Sequence, residues 1–338
     1  MKIAVDAMGG DHAPDVVVQG AIEAATQLGI EIILVGHEKA IAEVLPSSGF
    51  PVGRISVHHC TEVVGMDEAP LKAVRHKKDS SIRVVFDLVK GGEVDAVVSA
   101  GNSGAILAAG VITLGRMEAA DRPAIASILP GEKGPVVLID VGANVDCRPA
   151  HLFQFGVMAQ AFATSCLGMD NPKIGLLSIG EEGSKGNEQV RHAHELFERS
   201  LLNFAGNVEG HDIVSGDVQI IVCDGFVGNV ALKLSEGLAA TIARALKREL
   251  AGSLSGRVAA HFGRRSFERL RRRLDYEEHG GAPLLGINGV GIVCHGGSSA
   301  RAIRNAIGLA ASYVSTGVLE KMAVQLNTYK AKRAVGQE

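Results

Sequence analysis

The sequence KIGLLSIGEEGSKGN at residues 173–187 joins an apolar stretch to a glycine-rich polar turn and then to the start of a helix. The same order returns in VQIIVCDGFVGN at residues 218–229. Glycine lets the backbone come close to a ligand, and the N–H groups of a first helical turn favour an anion. This repeated unit predicts an α/β protein that holds a phosphate where its strands end.

The same alternation of apolar runs and helical periodicity extends along most of the chain. It predicts right-handed crossovers and a three-layer α/β/α fold with a mostly parallel sheet covered on both faces. We predict strands at 2–7, 31–35, 55–59, 94–99, 124–129, 135–141, 173–179, 218–223 and 290–294. We predict helices at 14–28, 38–45, 80–90, 103–115, 150–168, 187–201, 226–251, 257–274 and 299–325.

Composition narrows the class of protein. The chain has 338 residues, 46% of them hydrophobic, with 42 glycines and a net charge of −3. No linker of low complexity divides it, so we expect a single catalytic α/β domain over residues 1–338. The absence of a signal peptide and of an apolar run of about 18 residues predicts a cytoplasmic protein. The acidic balance predicts no general affinity for nucleic acid, and the five cysteines predict reduced thiols without a disulfide framework.

Five turns at the ends of predicted strands are rich in glycine and hydrogen-bond donors: 99–104, 140–144, 181–187, 224–229 and 295–299. Any one could be purely structural, but five together favour phosphate binding. The chain lacks GxGxxG and a P-loop, which lowers the expectation of NAD or ATP as a ligand. The candidate substrate-binding residues are Gly101, Asn102, Ser103, Gly104, Asn144, Gly183, Ser184, Gly186, Asn187 and His295.

Three residues are candidates for catalysis. Lys185 lies within Gly-Ser-Lys-Gly-Asn and would neutralise a phosphate or an oxyanion, although it could be a surface lysine. Asp224 could orient Lys185 or a ligand hydroxyl, or could simply cap the following helix. Asn229 follows one helical turn later and could donate to the same site or be structural. Cys223 is more simply a core residue than a nucleophile, and no His, Asp or Glu cluster has convincing metal spacing.

Residues 240–280 are expected to project from the body as a basic amphipathic segment. From Arg244 to Asp275 there are ten Lys and Arg residues against three acidic ones. The pattern predicts two helices that meet near Leu254. Such a segment could be a solvated helical pair, or it could contact an anionic membrane or an acidic protein. The candidate contact residues are Leu254, Arg257, Arg264 and Arg265.

Several motifs give the chain a resemblance to the bacterial phosphate acyltransferases that convert fatty acyl-acyl-carrier protein to acyl-phosphate. The resemblance covers nearly the whole chain in order. Small departures are Ser103, Ser178 and Gly297, where the family more often has Thr, Asn and Ser. The motifs are DAMGGD (6–11), SAGNSGA (99–105), RPA (122–124), DVGAN (140–144), IGEEGSKGN (179–187), CDGFVGNV (223–230) and GGAPLLGINGVGIVCHG (280–296).

The resemblance implies a fold similar to isocitrate and isopropylmalate dehydrogenases and to phosphotransacetylases. It implies a homodimer without metal or cofactor, cytoplasmic but associated peripherally with the membrane. Acyl-phosphate would then pass to a membrane glycerol-3-phosphate acyltransferase in phospholipid synthesis. Phosphate would attack the thioester carbonyl directly, with Lys185 stabilising charge and with Asp224 and Asn229 fixing Lys185 and the acyl donor.

Two other functions remain open from the sequence. The related fold suggests a nicotinamide-dependent decarboxylating dehydrogenase, but such an enzyme needs clustered metal-binding aspartates and an Arg-rich substrate pocket, and the sequence indicates neither. A non-enzymatic regulator that binds lipid or acyl-carrier protein through residues 240–280 would leave the five polar turns unexplained.

Overall fold

A computed structural model describes residues 1–46, 53–274, 278 and 280–335. Its described strands form one sheet with helices on both faces, as the alternating pattern predicted. The strands are β1 (Lys2–Asp6), β2 (Glu31–Gly36), β3 (Ile55–His59), β4 (Ala96–Ser99), β5 (Ala124–Pro130), β6 (Pro135–Ile139), β7 (Ile174–Leu177), β8 (Phe204–Val208), β9 (Ile220–Val222), β10 (Ala282–Leu285) and β11 (Val290–Val293).

The helices connect these strands and mostly lie within one to three residues of the predicted bounds. A break at Thr316–Gly317 divides the last predicted helix into two. The helices are α1 (Asp15–Leu28), α2 (Glu38–Val44), α3 (Pro70–His76), α4 (Ser81–Lys90), α5 (Ser103–Leu114), α6 (Pro149–Cys166), α7 (Glu188–Glu198), α8 (Gly225–Gly252), α9 (Leu254–Leu274), α10 (Ala300–Ser315) and α11 (Val318–Val335). A short 3-10 helix spans Gly210–Val214.

The sheet has the order β3-β2-β1-β4-β11-β10-β5-β6-β9-β7-β8. The strands β3, β2, β1, β4 and β11 are mutually parallel and form the first strand group. The strands β6, β9, β7 and β8 are also mutually parallel and form the second strand group. Three successive antiparallel pairings through β10 and β5 connect the groups. The two groups therefore run in opposite directions.

Burial on both faces explains why the strands read as continuous apolar runs. One core cluster packs α1, α6, α7, α10 and α11 against one face of the sheet. A second cluster packs α3, α4 and α5 against the other face. The largest fully buried side chains include Tyr313, Phe86, Phe155 and Phe162. These two cores hold the strand ends, and the turns that follow them, in fixed positions.

Helices α8 and α9 form a projecting hairpin. The two helices meet at Ser253, close to the predicted tip at Leu254. Within α8 only Gly225 and Gly228 are buried, so the helix leaves the body after its first turn. From there α9 is its principal packing partner. The last residues of the predicted 240–280 segment, 275–277 and 279, lie outside the described residues, as do the side chains of 268–274.

Candidate functional site

The turns of the first strand group pack against one another. Asp6 ends β1 and is fully buried, and it accepts hydrogen bonds from Ser99 Oγ at 2.6 Å and from the Met8 N–H at 3.1 Å. The Asp11 N–H donates to the Gly296 carbonyl at 2.8 Å. These bonds join the ends of β1, β4 and β11 into one cluster of turns.

Asn102 caps α5 and ties a neighbouring loop to it. Its Oδ1 accepts from the Ala105 N–H at 3.1 Å, and its Nδ2 donates to the Met66 carbonyl at 2.9 Å. Both ends of the amide are therefore engaged within the protein. What the turn offers to a ligand is the backbone of Ser103 and Gly104, because first-turn N–H groups have no acceptor within the helix. His295 is exposed, and its Nδ1 accepts from the Gly297 N–H at 3.1 Å.

The turn that ends β6 is organised by Asp140, which is buried. Its Oδ1 accepts from the N–H groups of Ile125, Gly142 and Ala143. Its Oδ2 accepts from both nitrogens of Asn144, at 2.7 and 2.9 Å. Burial raises the pKa of Asp140, and the hydrogen bonds from Ala143 and Asn144 oppose that rise. All of these donors are N–H groups, which favour the ionised carboxylate. Asp140 is therefore an anion that fixes the conformation of the turn.

Asp224 forms the helix cap that was one of its two predicted roles. Its Oδ1 accepts from the N–H groups of Phe226 at 3.0 Å and Val227 at 2.9 Å. The Gly225 N–H donates to the Asn144 carbonyl at 2.7 Å. The expectation that the first-turn N–H groups of α8 point at a ligand is therefore wrong for these three residues, because protein acceptors already bind them.

The turns 140–144 and 224–229 are in close contact. A Cβ on Gly228 would overlap the Asp140 carbonyl, so only glycine fits there. A Cβ on Gly142 would lie 3.8 Å from Asn229. Asn229 itself is exposed on the first turns of α8. The structure thus brings Asn144, Asp224 and Asn229 together at the ends of β6 and β9.

The loop that carries Lys185 follows β7, the neighbour of β9 in the sheet. The Glu182 carbonyl accepts from the Lys185 N–H at 2.9 Å and from Asn207 Nδ2 at 2.8 Å, which fixes the turn. Gly186 has a φ of +96°, a conformation that disfavours other residues. Asn187 caps α7 through the Val190 N–H at 2.9 Å.

Lys185 is exposed, as are Gly183 and Ser184. The Nζ of Lys185 makes no ion pair with any of the described residues. Its Cγ lies 3.0 Å from the position of a Cβ on Gly180, so the side chain runs back across the start of its own loop. Lys185 is therefore presented to solvent with its charge unneutralised.

Because the two strand groups run in opposite directions, the five predicted turns lie at two opposite edges of the sheet and not at a single edge. Turns 99–104 and 295–299 belong to the first group, and turns 140–144, 181–187 and 224–229 belong to the second. A cleft of about 720 Å³ borders on one turn from each group, because both Gly104 and Asn144 line it. Of the five turns, only 99–104 and 140–144 contribute residues to the lining of the cleft.

The cleft also contains residues that the sequence reasoning did not select. Arg116, Arg122 and Arg148 line it together with Asp121. Arg122 belongs to the RPA motif at 122–124 and Arg148 directly precedes α6, so their positions at the ends of elements were a usable signal. Lys185 does not line this cleft.

The cysteines are not poised for reaction. Burial raises the pKa of Cys147 to about 12 and that of Cys166 to about 11, and it raises the pKa of Cys223 well above the usual value. A thiol that stays protonated is a poor nucleophile. Cys223 is thus a core residue, as the simpler sequence interpretation held. Within the described ranges, no group of three His, Cys, Asp or Glu side chains is placed to hold a metal ion.

The hairpin presents apolar and basic side chains to solvent. Leu254 is 81% exposed, Val258 50% and Phe262 84%. Arg257 lies beside the tip and donates from Nε to the Ala251 carbonyl at 3.1 Å, and Arg265 is exposed further along α9, next to Arg264. None of the helices in the described part of the chain combines the length and apolar character needed to cross a membrane.

Comparisons with known proteins agree with this architecture. The Streptococcus pyogenes phosphotransacetylase structure covers 93% of this chain and 94% of its own, with a TM-score of 0.64 and 20% identity. A 4-hydroxythreonine-4-phosphate dehydrogenase from Klebsiella pneumoniae covers 93% and 99%, with a TM-score of 0.54 and 15% identity. At these identities the likeness shows the fold alone, and it confirms the predicted similarity of the fold to phosphotransacetylases and to a dehydrogenase.

Sequence similarity shows the family. Residues 1–321 match the model of the family described as fatty acid synthesis protein. The phosphate acyltransferase of Geobacter sulfurreducens is 52% identical over 328 residues, which cover 97% of this chain and 95% of that protein. The predicted resemblance is thereby confirmed. The chain belongs to the phosphate acyltransferase family and is an acyltransferase.

Proposed function

We propose that the protein transfers a fatty acyl group from acyl-acyl-carrier protein to inorganic phosphate. The product, an acyl-phosphate, would serve glycerol-3-phosphate acylation in phospholipid synthesis. One structural observation supports this beyond family membership. The cleft between the two strand groups has guanidinium groups on part of its wall and aliphatic side chains on another part, which suits a molecule with an anionic head and an apolar tail.

The reaction needs no covalent enzyme intermediate. A phosphate oxygen attacks the thioester carbonyl, the carbon–sulfur bond breaks, and the carrier thiolate leaves and takes up a proton. Phosphate is already an anionic nucleophile near neutral pH, so the protein's task is to position it and to stabilise negative charge on the carbonyl oxygen. Lys185 is the proposed source of that positive charge, since it is exposed and unpaired among the described residues. Because Lys185 does not line the cleft, this role requires its loop to approach the bound substrates.

The other site residues have positioning roles in this proposal. Asp224 holds the start of α8 through its cap, and Asn229 offers its amide to the acyl donor from the same turn. The backbone of Gly183–Asn187 would contact phosphate on the side of Asn144. The backbone of Gly101–Gly104, at the other end of the cleft, would contact the acyl donor, with His295 in the neighbouring turn. These roles rest on the placement described above, because two of the three turns at the second strand group are in direct contact.

The hairpin is the proposed contact surface for partners. Acyl-carrier protein is acidic, so it complements the basic residues Arg257, Arg264 and Arg265. The exposed Leu254 and Phe262 suit the surface of a membrane, where the next acyltransferase would receive the product. A cytoplasmic homodimer that associates peripherally with the membrane completes the proposal.

The deciding experiment is an assay of the purified protein with palmitoyl-acyl-carrier protein and inorganic phosphate. We expect release of the free carrier thiol and formation of acyl-phosphate, both dependent on phosphate. Binding of the carrier without thiol release, in a sample whose fold is verified by circular dichroism, would instead support a non-enzymatic regulator and overturn the proposal.

A further inference from the structure

The cleft between the strand groups has two chemically different ends. It extends along α5, from Gly104 in the first turn of that helix to Arg116 just beyond its last turn. Side chains of Leu107, Ala108 and Val111 form the wall between these points. Arg116 contacts the carbonyl of Asp121, and Asp121, Arg122 and Arg148 are all near enough to His151 to affect its pKa. The arginines of the cleft therefore gather at the end near Arg116, and the cleft is polarised along its length.

The cationic end contains three guanidinium groups against one carboxylate, that of Asp121. Arg116 donates from Nη1 to the Asp121 carbonyl, which anchors its side chain to the backbone of the loop that follows it. Arg122 is exposed and makes no hydrogen bond or ion pair with the residues that the structure describes. The charge at this end of the cleft is thus positive and only partly balanced.

Arg148 is held in place by a neighbour. Its Nε and Nη2 lie 3.2 and 3.1 Å from Nε2 of His151, which is buried in the first turn of α6. This contact leaves Nη1 for a ligand. Burial and the nearby Arg148 lower the pKa of His151, so the ring is neutral and can accept. Arg148 is also the residue that caps α6, an 18-residue helix whose positive dipole end faces the same region.

The backbone at this end is rigid. Asn144 Nδ2 donates to the Pro123 carbonyl at 2.7 Å, and the same nitrogen contacts Asp140. The residue before Pro123 is Arg122, so its main chain is fixed relative to the turn 140–144. A fixed main chain restricts the positions that the Arg122 guanidinium can reach, which lowers part of the ordering cost of binding a phosphoryl group.

The opposite end of the cleft is apolar. Pro70 packs over Gly104, where an added Cβ would lie 2.7 Å from the proline Cγ. Leu71 follows it and is 49% exposed although it is aliphatic. Together with Leu107 and Val111 these side chains line a groove without charged groups. A hydrocarbon chain in this groove would be removed from water.

We infer that the cleft binds acyl-phosphate in one direction, with the phosphoryl group at Arg122 and Arg148 and the acyl chain along α5 toward Leu71. This rests on the proposed function and adds the residues that bind each part of the product. The same two arginines bind inorganic phosphate in the forward reaction. The carboxylate of Asp121 also lines this end of the cleft and offsets part of its positive charge.

The test compares variants at the two ends of the cleft by steady-state kinetics. Arg122→Gln and Arg148→Gln are expected to raise the KM for phosphate by about 10- to 100-fold, with little change in the KM for the acyl donor. Leu71→Glu is expected to raise the KM for the acyl donor, with little change in the KM for phosphate. Arg199→Gln, at an exposed arginine that ends α7 and does not line the cleft, is the matched control.

Calorimetry with decyl phosphate and with inorganic phosphate tests the inference without any turnover. We expect Arg122→Gln to weaken both ligands, and Leu71→Glu to weaken decyl phosphate alone. If Arg122→Gln binds each ligand as tightly as the wild type does, the inference is overturned, even if acyl transfer is observed. Wild-type binding with this pattern, in a protein that fails to turn over, would uphold the inference and reject the proposed reaction.

Arg148→Gln could disturb α6, since Arg148 is both the cap of that helix and the partner of His151. The Arg122 side chain makes no such contact with the described residues, so the Arg122→Gln variant decides the test. Thermal unfolding of each variant identifies any loss that comes from the fold. If Arg122→Gln and Arg199→Gln have the same KM for phosphate at equal stability, the inference is rejected.

Discussion

Asn144 Nδ2 lies 2.9 Å from Asp140 Oδ2 and 2.7 Å from the Pro123 carbonyl. One side-chain nitrogen therefore joins the turn after β6 to the chain that enters β5. These are neighbouring antiparallel strands at the middle of the sheet. Through this bond the turn 140–144 and the arginine before Pro123 keep a fixed relationship.

Replacing Asp140 with Ala is expected to lower the free energy of unfolding by about 3 kcal/mol or more, because five N–H donors lose a buried charged acceptor. Urea denaturation measures this difference. The exposed Asp146 in the same loop supplies the control, and its Ala variant should unfold like the wild type. Equal midpoints for both variants would show that Asp140 does not organise the turn.

The Asp224→Ala variant loses the cap of α8 and should lose about 1 kcal/mol of stability. Asp224→Asn keeps an oxygen that can accept from the Phe226 and Val227 N–H groups, so it should retain most of the stability. If Asp224 acts through this cap, the Asn variant also restores most of the acyl transfer rate. A stable Asn variant that is as slow as the Ala variant would require a direct role for the carboxylate.

Lys185→Ala should reduce kcat for acyl transfer by about 10²- to 10³-fold, the usual cost of losing a charge-stabilising group. Stability should change by less than about 0.5 kcal/mol, since Lys185 is exposed. Lys173→Ala is the control because Lys173 is an exposed lysine at the opposite end of the same strand, β7. Near-normal turnover of the Lys185 variant would remove Lys185 from the mechanism.

His151 makes the free energy of unfolding depend on pH in the acidic range. Burial lowers its pKa in the folded protein below 6.5, the usual value. The unfolded chain therefore binds a proton more readily as the pH falls below 6.5, and stability falls through that window, whereas above it the ring contributes no pH dependence. Urea denaturation at pH 8 and pH 5.5 should show a smaller acid loss in His151→Gln than in the wild type. A loss of equal size would contradict this assignment.

Leu254→Asp and Phe262→Asp should weaken binding to vesicles that contain anionic lipid, as measured by co-sedimentation. Both side chains are more than four-fifths exposed, so the folded state should tolerate the change. Val214→Asp, at an exposed apolar residue away from the hairpin, is the control. If all three variants and the wild type sediment alike, the hairpin does not contact membrane by these residues.

Most strands could be located from the sequence because burial on both faces makes them continuous apolar runs. β8 and β10 were missed: FAGNV contains a glycine and an asparagine, and APLL is only four residues long and contains a proline. The antiparallel pairing of β5 and β6 had a signal, since Gly131–Gly134 is too short for a crossover between parallel strands. Strand direction in the second half of the sheet followed from that hairpin.

The site was predicted less completely than the fold. Glycine-rich turns mark strand ends, so the turns themselves were found, and the cap by Asp224 was among the alternatives. Which side chains are engaged within the protein could not be read from the sequence, because the partners of Asn102 and Asn144 lie 36 and 21 residues away along the chain. Arg116 and Arg122 are neighbours in one short loop, but Arg148 joins them only through tertiary packing.

Helix α8 begins at the turn that holds Asn229 and continues for 28 residues to the hairpin tip. At 1.5 Å per residue this is a rod about 42 Å long. A tilt of about 5° at its base would displace the tip by about 4 Å. The tip of the hairpin and the turn at the base of α8 therefore move together as parts of one continuous helix. A partner that tilted the tip would therefore also rotate the turn that holds Asn229, and a rotation of that turn would displace the tip.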